Sequence, residues 1–281
     1  MRRNKILDEI RQLDPVTDHQ RIVFLTDCYE FPFDTTRSLE LALFRTFAIS
    51  KGTPLLLSTE EFTRRTQKRY DDTYLILAEM LEHGYDSPRG RAALRQMNRL
   101  HHRYPIPNDE YLYTLSVFVF EQIRWNARFG WRPFMEQEKL ALFHWWCEVG
   151  RRMNIKSLPT DFDEFERFNV AYEQEHFSYA EANHQLACAT RDMFLGWFLP
   201  KPLWPLGAPF IYAVMDDRLL EAVGFPKPAP TIRRLVEGAL KLRGRIVRLM
   251  PPRQQPYSFT HQRMRTYPEG YEIEQLGPRL E

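Results

Sequence analysis

The chain has 281 residues and a formal net charge of +2, with basic and acidic side chains interleaved along its length. That length suits one core with appendages better than two equal domains, and the balanced charge excludes an extended nucleic-acid footprint. Phe, Tyr and Trp make up 14% of the residues, a surplus that fits a large apolar pocket or an oily surface patch.

Residues 1–28 read as an N-terminal extension. The opening MRRNKILDEIRQLD is basic but lacks an apolar run, so no signal peptide is expected. Ile6–Leu13 is a short amphipathic stretch, and Phe31-Pro32-Phe33-Asp34 reads as a turn. From Leu39, LELALFRTFAI is apolar on nearly every face, which predicts a helix buried around most of its circumference. Ser58-Thr59-Glu60-Glu61 has the spacing of a capping box and predicts one long helix running to Gly84. On it Arg69, Asp72 and Thr73 stand at i, i+3 and i+4 and share a face. Exposed, this triplet is an ion pair beside a helix threonine; buried, it is a cation, a carboxylate and a hydroxyl fixed in low dielectric, as an oxygen-binding or acid–base site requires.

Pro88 suits the first turn of a helix that carries Arg95, Asn98 and His101. The stretch RQMNRLHHRYPIPNDEYLYT then sets ionisable side chains between two apolar helical segments. Adjacent histidines on a helix point about 100° apart, so His101 and His102 cannot both face one pocket. Pro105 and Pro107 end the helix, and Asn108-Asp109 predict the N-cap of the next. In a last turn His101 is either a ligand or a cap for helix carbonyls, and both readings stay open.

The following helix runs from Asn108 to about Phe129, with Tyr111, Thr114, Leu115 and Phe118 along one stripe, and stops at Gly130. Another spans about Met135 to Met153, and Thr160-Asp161 opens one whose Phe162, Phe165, Phe168 and Tyr172 predict a core face. Glu173-x-x-His176 and Glu181-x-x-His184 have the spacing of di-iron carboxylate ligands. Such a site takes its pairs from different helices of a bundle, whereas these lie close together in sequence, so solvated helix ends are the simpler reading.

Met193–Met215 is the most apolar region, but Lys201 and Pro200, Pro202, Pro205 and Pro209 exclude an uninterrupted spanning helix. A helix ending near Gly224 and a break at Pro226, Pro228 and Pro230 follow. The last helix, Thr231–Met250, carries Arg233, Arg234, Lys241, Arg243, Arg245 and Arg248; it lies against acidic lipid or presents a solvated face. Residues 251–281 read as an irregular tail that wraps the surface or moves. Cys28, Cys147 and Cys188 are isolated and read as reduced core thiols of a cytoplasmic protein, with peripheral membrane contact left open. No sustained period-two alternation, Gly-rich phosphate loop, GxSxG, HExxH or solenoid repeat occurs, so the expectation is all-α, one helical domain over residues 1–281.

Taken in order, LELALFRTFAIS, KRYDDT, MNRLHHRYPIPNDEYLYTLSVF, GWRP with a downstream Glu, WCEVGRRMNI, and YPEGY with LGP resemble the MpaB/rubber oxygenase family of latex-clearing-protein-like enzymes. The resemblance runs from about residue 29 to 277. It implies a globin-like core with flanking helices, haem b as cofactor, and cleavage of carbon–carbon double bonds in isoprenoid chains with O2. It also implies His101, in MNxxH, as the ligand of the haem iron, with Asn98 and Thr114 in the cofactor site and Arg69 and Thr73 as the distal catalytic residues. Asp72 stands where rubber-cleaving members carry a distal lysine. That departure implies an ion pair with Arg69 or a proton relay, and a lipophilic, unsaturated substrate other than rubber. The membrane anchor of fungal members has no counterpart in this sequence. Beside the haem b-dependent oxygenase, two readings stay open: a non-enzymatic haem or lipophile-binding sensor or carrier, and a di-iron oxygenase.

Overall fold

The computed structural model describes residues 2–278. In chain order its α-helices are α1 (Arg2–Gln12), α2 (His19–Phe24), α3 (Pro32–Thr46), α4 (Thr53–Ser58), α5 (Glu61–Arg64), α6 (Thr66–His83), α7 (Pro88–His101), α8 (Asn108–Phe129), α9 (Glu136–Arg152), α10 (Phe162–His176), α11 (Glu181–Gly196), α12 (Trp204–Tyr212), α13 (Asp217–Ala222) and α14 (Pro230–Leu249). A π-helical turn, Leu25–Glu30, joins α2 to α3. Among the described residues the one extended pairing is an isolated bridge between Ile49 and Phe177, so the chain is all-α as expected.

Helix α8 is the axis of the fold. Its Leu115, Val119 and Phe120 belong to one core with α2, α6, α7 and α9, while Trp125 and Phe129 belong to a second core with α3, α11, α12 and α13. A helix apolar on nearly every face needs neighbours all round, and α8 has them. Helix α3 packs along it, which accounts for the burial expected of LELALF.

Several boundaries differ from the expectations, each for a local reason. Phe31–Asp34 is no turn: Pro32 opens α3 as a first-turn residue, where its missing N–H costs nothing. The expected long helix from Ser58 to Gly84 is divided into α5 and α6, and Ser58 ends α4 instead of starting it. The Ser58 and Thr59 hydroxyls donate back to Leu55 O (2.8 Å) and Leu56 O (2.7 Å), closing α4 instead of opening the next helix. Glu60 then turns left-handed with φ 55°. Pro107, not Asn108, holds the N-cap position of α8; the Asn108 side chain pairs with both backbone groups of Lys156 at 2.8 and 3.0 Å. The region after Pro200 divides into α12 and α13, and among the described residues no helix is long and apolar enough to cross a membrane.

The segment after Met250 is irregular, as expected, and it is tied down along α6. Thr260 N donates to Glu82 (2.7 Å), Thr266 N to Asp71 (2.8 Å), the Tyr267 hydroxyl to Asp72 (2.5 Å) and the Tyr271 hydroxyl to Glu79 (2.6 Å). Carboxylates along one helix thus hold the tail in register, while Phe259, Ile273 and Leu276 anchor it in the core. Of the three free thiols, Cys28 and Cys147 are buried and Cys188 is half-buried beside His184.

Candidate active site

Helix α7 ends at His101 because Pro105 and Pro107 allow no further turn, and that leaves the ring facing the space between α6, α7 and α8. A cavity of about 270 Å³ lies there, walled by His101 together with Arg69, Asp72, Thr73, Tyr104 and Thr114 among others. The Tyr111 ring stands edge-on to the imidazole at 5.7 Å. His101 Nδ1 is buried and makes no hydrogen bond, while His102 is exposed, so the pair divides as their helical spacing requires. Burial pushes the His101 pKa down to about 4, and the charge of Arg69 acts in the same direction. The ring is therefore a neutral imidazole at physiological pH, the state in which it can ligate a metal.

Arg69 and Thr73 face His101's cavity from one turn of α6. A guanidinium N–H of Arg69 donates to the Thr73 hydroxyl, which donates to Arg69 O at 2.9 Å, and the guanidinium lies 5.0 Å from the Phe62 ring centre. Thr73 thereby fixes the direction of Arg69. Burial works to lower the Arg69 pKa, against the attraction of Asp72 and Glu61.

The ion pair expected between Arg69 and Asp72 does not form. Asp72 instead accepts from Lys68 at 2.8 and 3.0 Å and from the Tyr267 hydroxyl at 2.5 Å, and Lys68 also donates to Gly277 O at 2.7 Å. Lys68 lies one turn before Asp72 and takes its carboxylate, while Arg69 is engaged by the Thr73 hydroxyl and the Phe62 ring. Gly277 and Pro278 line the same cavity, so this cluster closes it on the tail side. Thr114 lines the cavity too, with its hydroxyl donating to Glu110 O at 2.8 Å. Asn98 stands apart: its amide donates to Arg152 O at 3.0 Å and ties α7 to the end of α9, so the structure gives it a positioning task and not a place in the cavity wall.

A second chamber of about 90 Å³ lies behind Arg69 and Thr73 and shares Leu43, Phe62, Phe118 and Trp146 with the first. Two carboxyls missed by motif reading border it. Asp27 accepts from Thr35 (3.0 Å) and Gln122 (2.5 Å), and Glu40 from Arg37 (2.7 Å) and the Tyr70 hydroxyl (2.8 Å). Burial pushes each pKa up to about 7. Glu40 had a signal, a lone charge inside the apolar LELALF; Asp27 had none.

Asp27 gives a pH-dependent prediction. Between about pH 4 and 7 the folded chain keeps a proton on this carboxyl that the unfolded chain has lost, so its contribution to stability falls as pH rises through that window. Asp27→Asn stays neutral throughout and keeps an oxygen for Thr35 and Gln122. It should gain about 2 kcal/mol at pH 8 and almost nothing at pH 4, read from denaturant melts at both pH values. Equal shifts at the two would contradict the assignment.

The Glu-x-x-His pairs are dispersed. Glu173 is held by Arg45 (3.0 Å) and the Tyr113 hydroxyl (3.2 Å), Glu181 by Tyr179 and Gln185 on the surface, and His184 by Val223 O (2.9 Å). Among the described residues no three of His, Cys, Asp and Glu converge as metal ligands, which removes the di-iron reading.

The family described as ER-bound oxygenase mpaB/B'/rubber oxygenase, catalytic domain, matches residues 48–249, a segment that holds Arg69, Asp72, Thr73, His101 and Thr114. The chain belongs to this family. Among mpaB-type relatives, ER-bound oxygenase mpaB' of Penicillium brevicompactum is 30% identical over 243 residues, 80% of this chain. The chain spans 57% of that relative's length. ER-bound oxygenase mpaB of Penicillium roqueforti is 30% identical over 212 residues, covering 69% of this chain and 71% of the relative. A third, mpaB of Penicillium brevicompactum, is 27% identical over 220 residues, with 71% and 56% covered. The segment that the family model matches ends at residue 249, so Tyr267 and Gly277 of the tail that closes the cavity lie outside it.

Proposed function

We propose that the chain is a haem b-dependent oxygenase that uses O2 to oxidise or cleave a lipophilic, unsaturated, isoprenoid-like substrate, with the haem seated in a globin-like pocket between α6, α7 and α8. One observation carries this reading. A half-buried imidazole, neutral and with its buried Nδ1 lacking any hydrogen-bond partner, lines the same cavity as a half-buried guanidinium fixed by a threonine. A buried polar atom without a partner asks for one, and a metal ion supplies it. The donor set fits haem: one neutral nitrogen ligand on α7, a largely apolar wall, and a cationic donor on α6.

Haem b, when bound, supplies the iron chemistry that activates dioxygen. His101 would hold the iron, and the low pKa of its ring keeps the lone pair available. Arg69 offers its remaining N–H groups to oxygen in the cavity, where low dielectric strengthens each bond, and Thr73 holds it in place. Thr114 contributes a wall whose hydroxyl is already satisfied. Asp72 remains the candidate proton relay, and its partners set the route: protons would pass by Tyr267 and Lys68 toward the tail, not through Arg69. The second chamber, mostly aliphatic and aromatic, suits a hydrocarbon chain directed at Arg69 and Thr73.

Haem-loaded protein supplied with an unsaturated isoprenoid lipid should consume oxygen through repeated turnovers and release oxidised product. Arg69→Ala should retain haem and lower turnover by about 100-fold, the scale of removing one preorganised donor. Stable haem and ligand binding without product would make the chain a carrier, and unchanged turnover in Arg69→Ala would move the oxygen side elsewhere.

A further inference from the structure

Helix α14 has Gly244 as its one buried residue. A Cβ there would stand 2.9 Å from Phe129 O, so glycine lets this helix approach the end of α8 closely. Away from that contact, Leu235, Leu242, Ile246 and Leu249 recur at helical spacing and form one stripe, and they are 62%, 55%, 52% and 87% exposed. Single exposed leucines are ordinary, but an aligned stripe is not. Arg234, Lys241, Arg245 and Arg248 run along one flank of the stripe, all exposed.

The neighbouring segment continues the apolar surface. Phe198, Leu203, Leu206 and Phe210 are exposed and rim the mouth of an apolar cavity of about 610 Å³, which α14 also walls with Val236 and Leu240. Glu40 lines this cavity and also the chamber behind Arg69 and Thr73.

We infer that this face docks on a bilayer with anionic headgroups, the α14 stripe and the Phe198–Phe210 rim entering the acyl boundary and the basic flank lying among the phosphates. Charge selects this occupant. A second copy packing antiparallel through the same stripe would bring the basic flank against its own image, and one packing parallel would set it against the apolar Val236 and Leu240 flank, whereas an acidic lipid surface complements it. Docking places the mouth of the cavity in lipid, with Glu40, Arg37 and Tyr70 as the polar boundary between it and the inner chamber. Use of that mouth as a substrate entrance rests on the oxygenase reading; the docking does not.

The test is co-sedimentation of the full chain with vesicles of phosphatidylcholine alone or mixed with phosphatidylserine, and sedimentation velocity without vesicles. Wild type should be monomeric and should bind the mixed vesicles preferentially, less so as salt rises. Leu242→Asp with Ile246→Asp, at exposed positions, should leave the melting temperature unchanged and lower vesicle binding at least about tenfold. Lys241→Gln with Arg245→Gln should remove the preference for phosphatidylserine. Absence of vesicle binding, undiminished binding by the double-Asp variant, or a dimer that this variant dissociates would each overturn the proposal. None of these readouts depends on haem or turnover, so failure here leaves the oxygenase reading to its own test.

Discussion

Replacing Arg45 by Ala should cost about 3–5 kcal/mol of stability, the range for breaking a buried ion-pair cluster from one side. Arg45, on α3, donates to Glu121 of α8 at 2.5 Å, to Glu173 of α10 at 3.0 Å, and to Asp216 at the start of α13. Glu121 and Glu173 are buried, and their attraction, with that of Asp216, holds the Arg45 pKa above its ordinary range. Without the guanidinium these carboxylates face one another in low dielectric, and α3, α8 and α10 lose a shared tie. Asp216 also caps α13 by accepting from Leu219 N at 3.0 Å, so the damage spreads to a fourth helix. Total stabilities are about 5–15 kcal/mol, so much of the chain should unfold or fail to accumulate. Arg45→Lys should recover only part of the loss, because an ammonium cannot reproduce a planar fork aimed at several carboxylates. Denaturant unfolding reads both variants; an Arg45→Ala midpoint equal to wild type would show that the cluster adds nothing.

The same residue explains one limit of reading this sequence. Glu173 has the spacing of a metal ligand three residues before His176, and nothing nearby announces that its partner is an arginine 128 positions away. Periodicity and prolines made α8, α9 and α14 legible to within a residue or two, and likewise the starts of α7 and α10, because those signals are local. The break between α4, α5 and α6 was not legible: whether a threonine hydroxyl closes the preceding helix or opens the following one is decided by tertiary packing. At the site, His101, Arg69, Thr73 and Thr114 were legible as helical faces, and the fold brings them to one cavity. Asn98, read as part of the cofactor site, instead ties α7 to α9. Lys68 and Tyr267 escaped because Asp72 finds them across one helical turn and 195 residues of chain, and Gly277 because Lys68 reaches its carbonyl across 209, not through a motif.

His101→Ala should leave the fold intact and abolish specific haem binding. The ring donates and accepts no hydrogen bond at Nδ1, so its removal breaks no polar network, and the cost is the lost packing against Tyr111 and the enlarged cavity. Haem affinity should nevertheless fall at least about 100-fold, since even the groups that only orient a metal ligand are worth about 10- to 100-fold. In wild type the imidazole stays neutral until pH approaches about 4, so haem binding should be flat from pH 8 to pH 5 and decline only below that. An ordinary exposed histidine would begin to lose the metal near pH 6.5.

The absorption spectrum of the purified chain titrated with haemin, beside that of His101→Ala, tests the central claim most directly. The account predicts one haem per wild-type chain, with a Soret band typical of histidine ligation, and a weak, free-haemin-like spectrum for the variant, which still unfolds in one cooperative transition. A wild-type chain that takes up no haem, or a variant with the same spectrum and affinity as wild type, would contradict it.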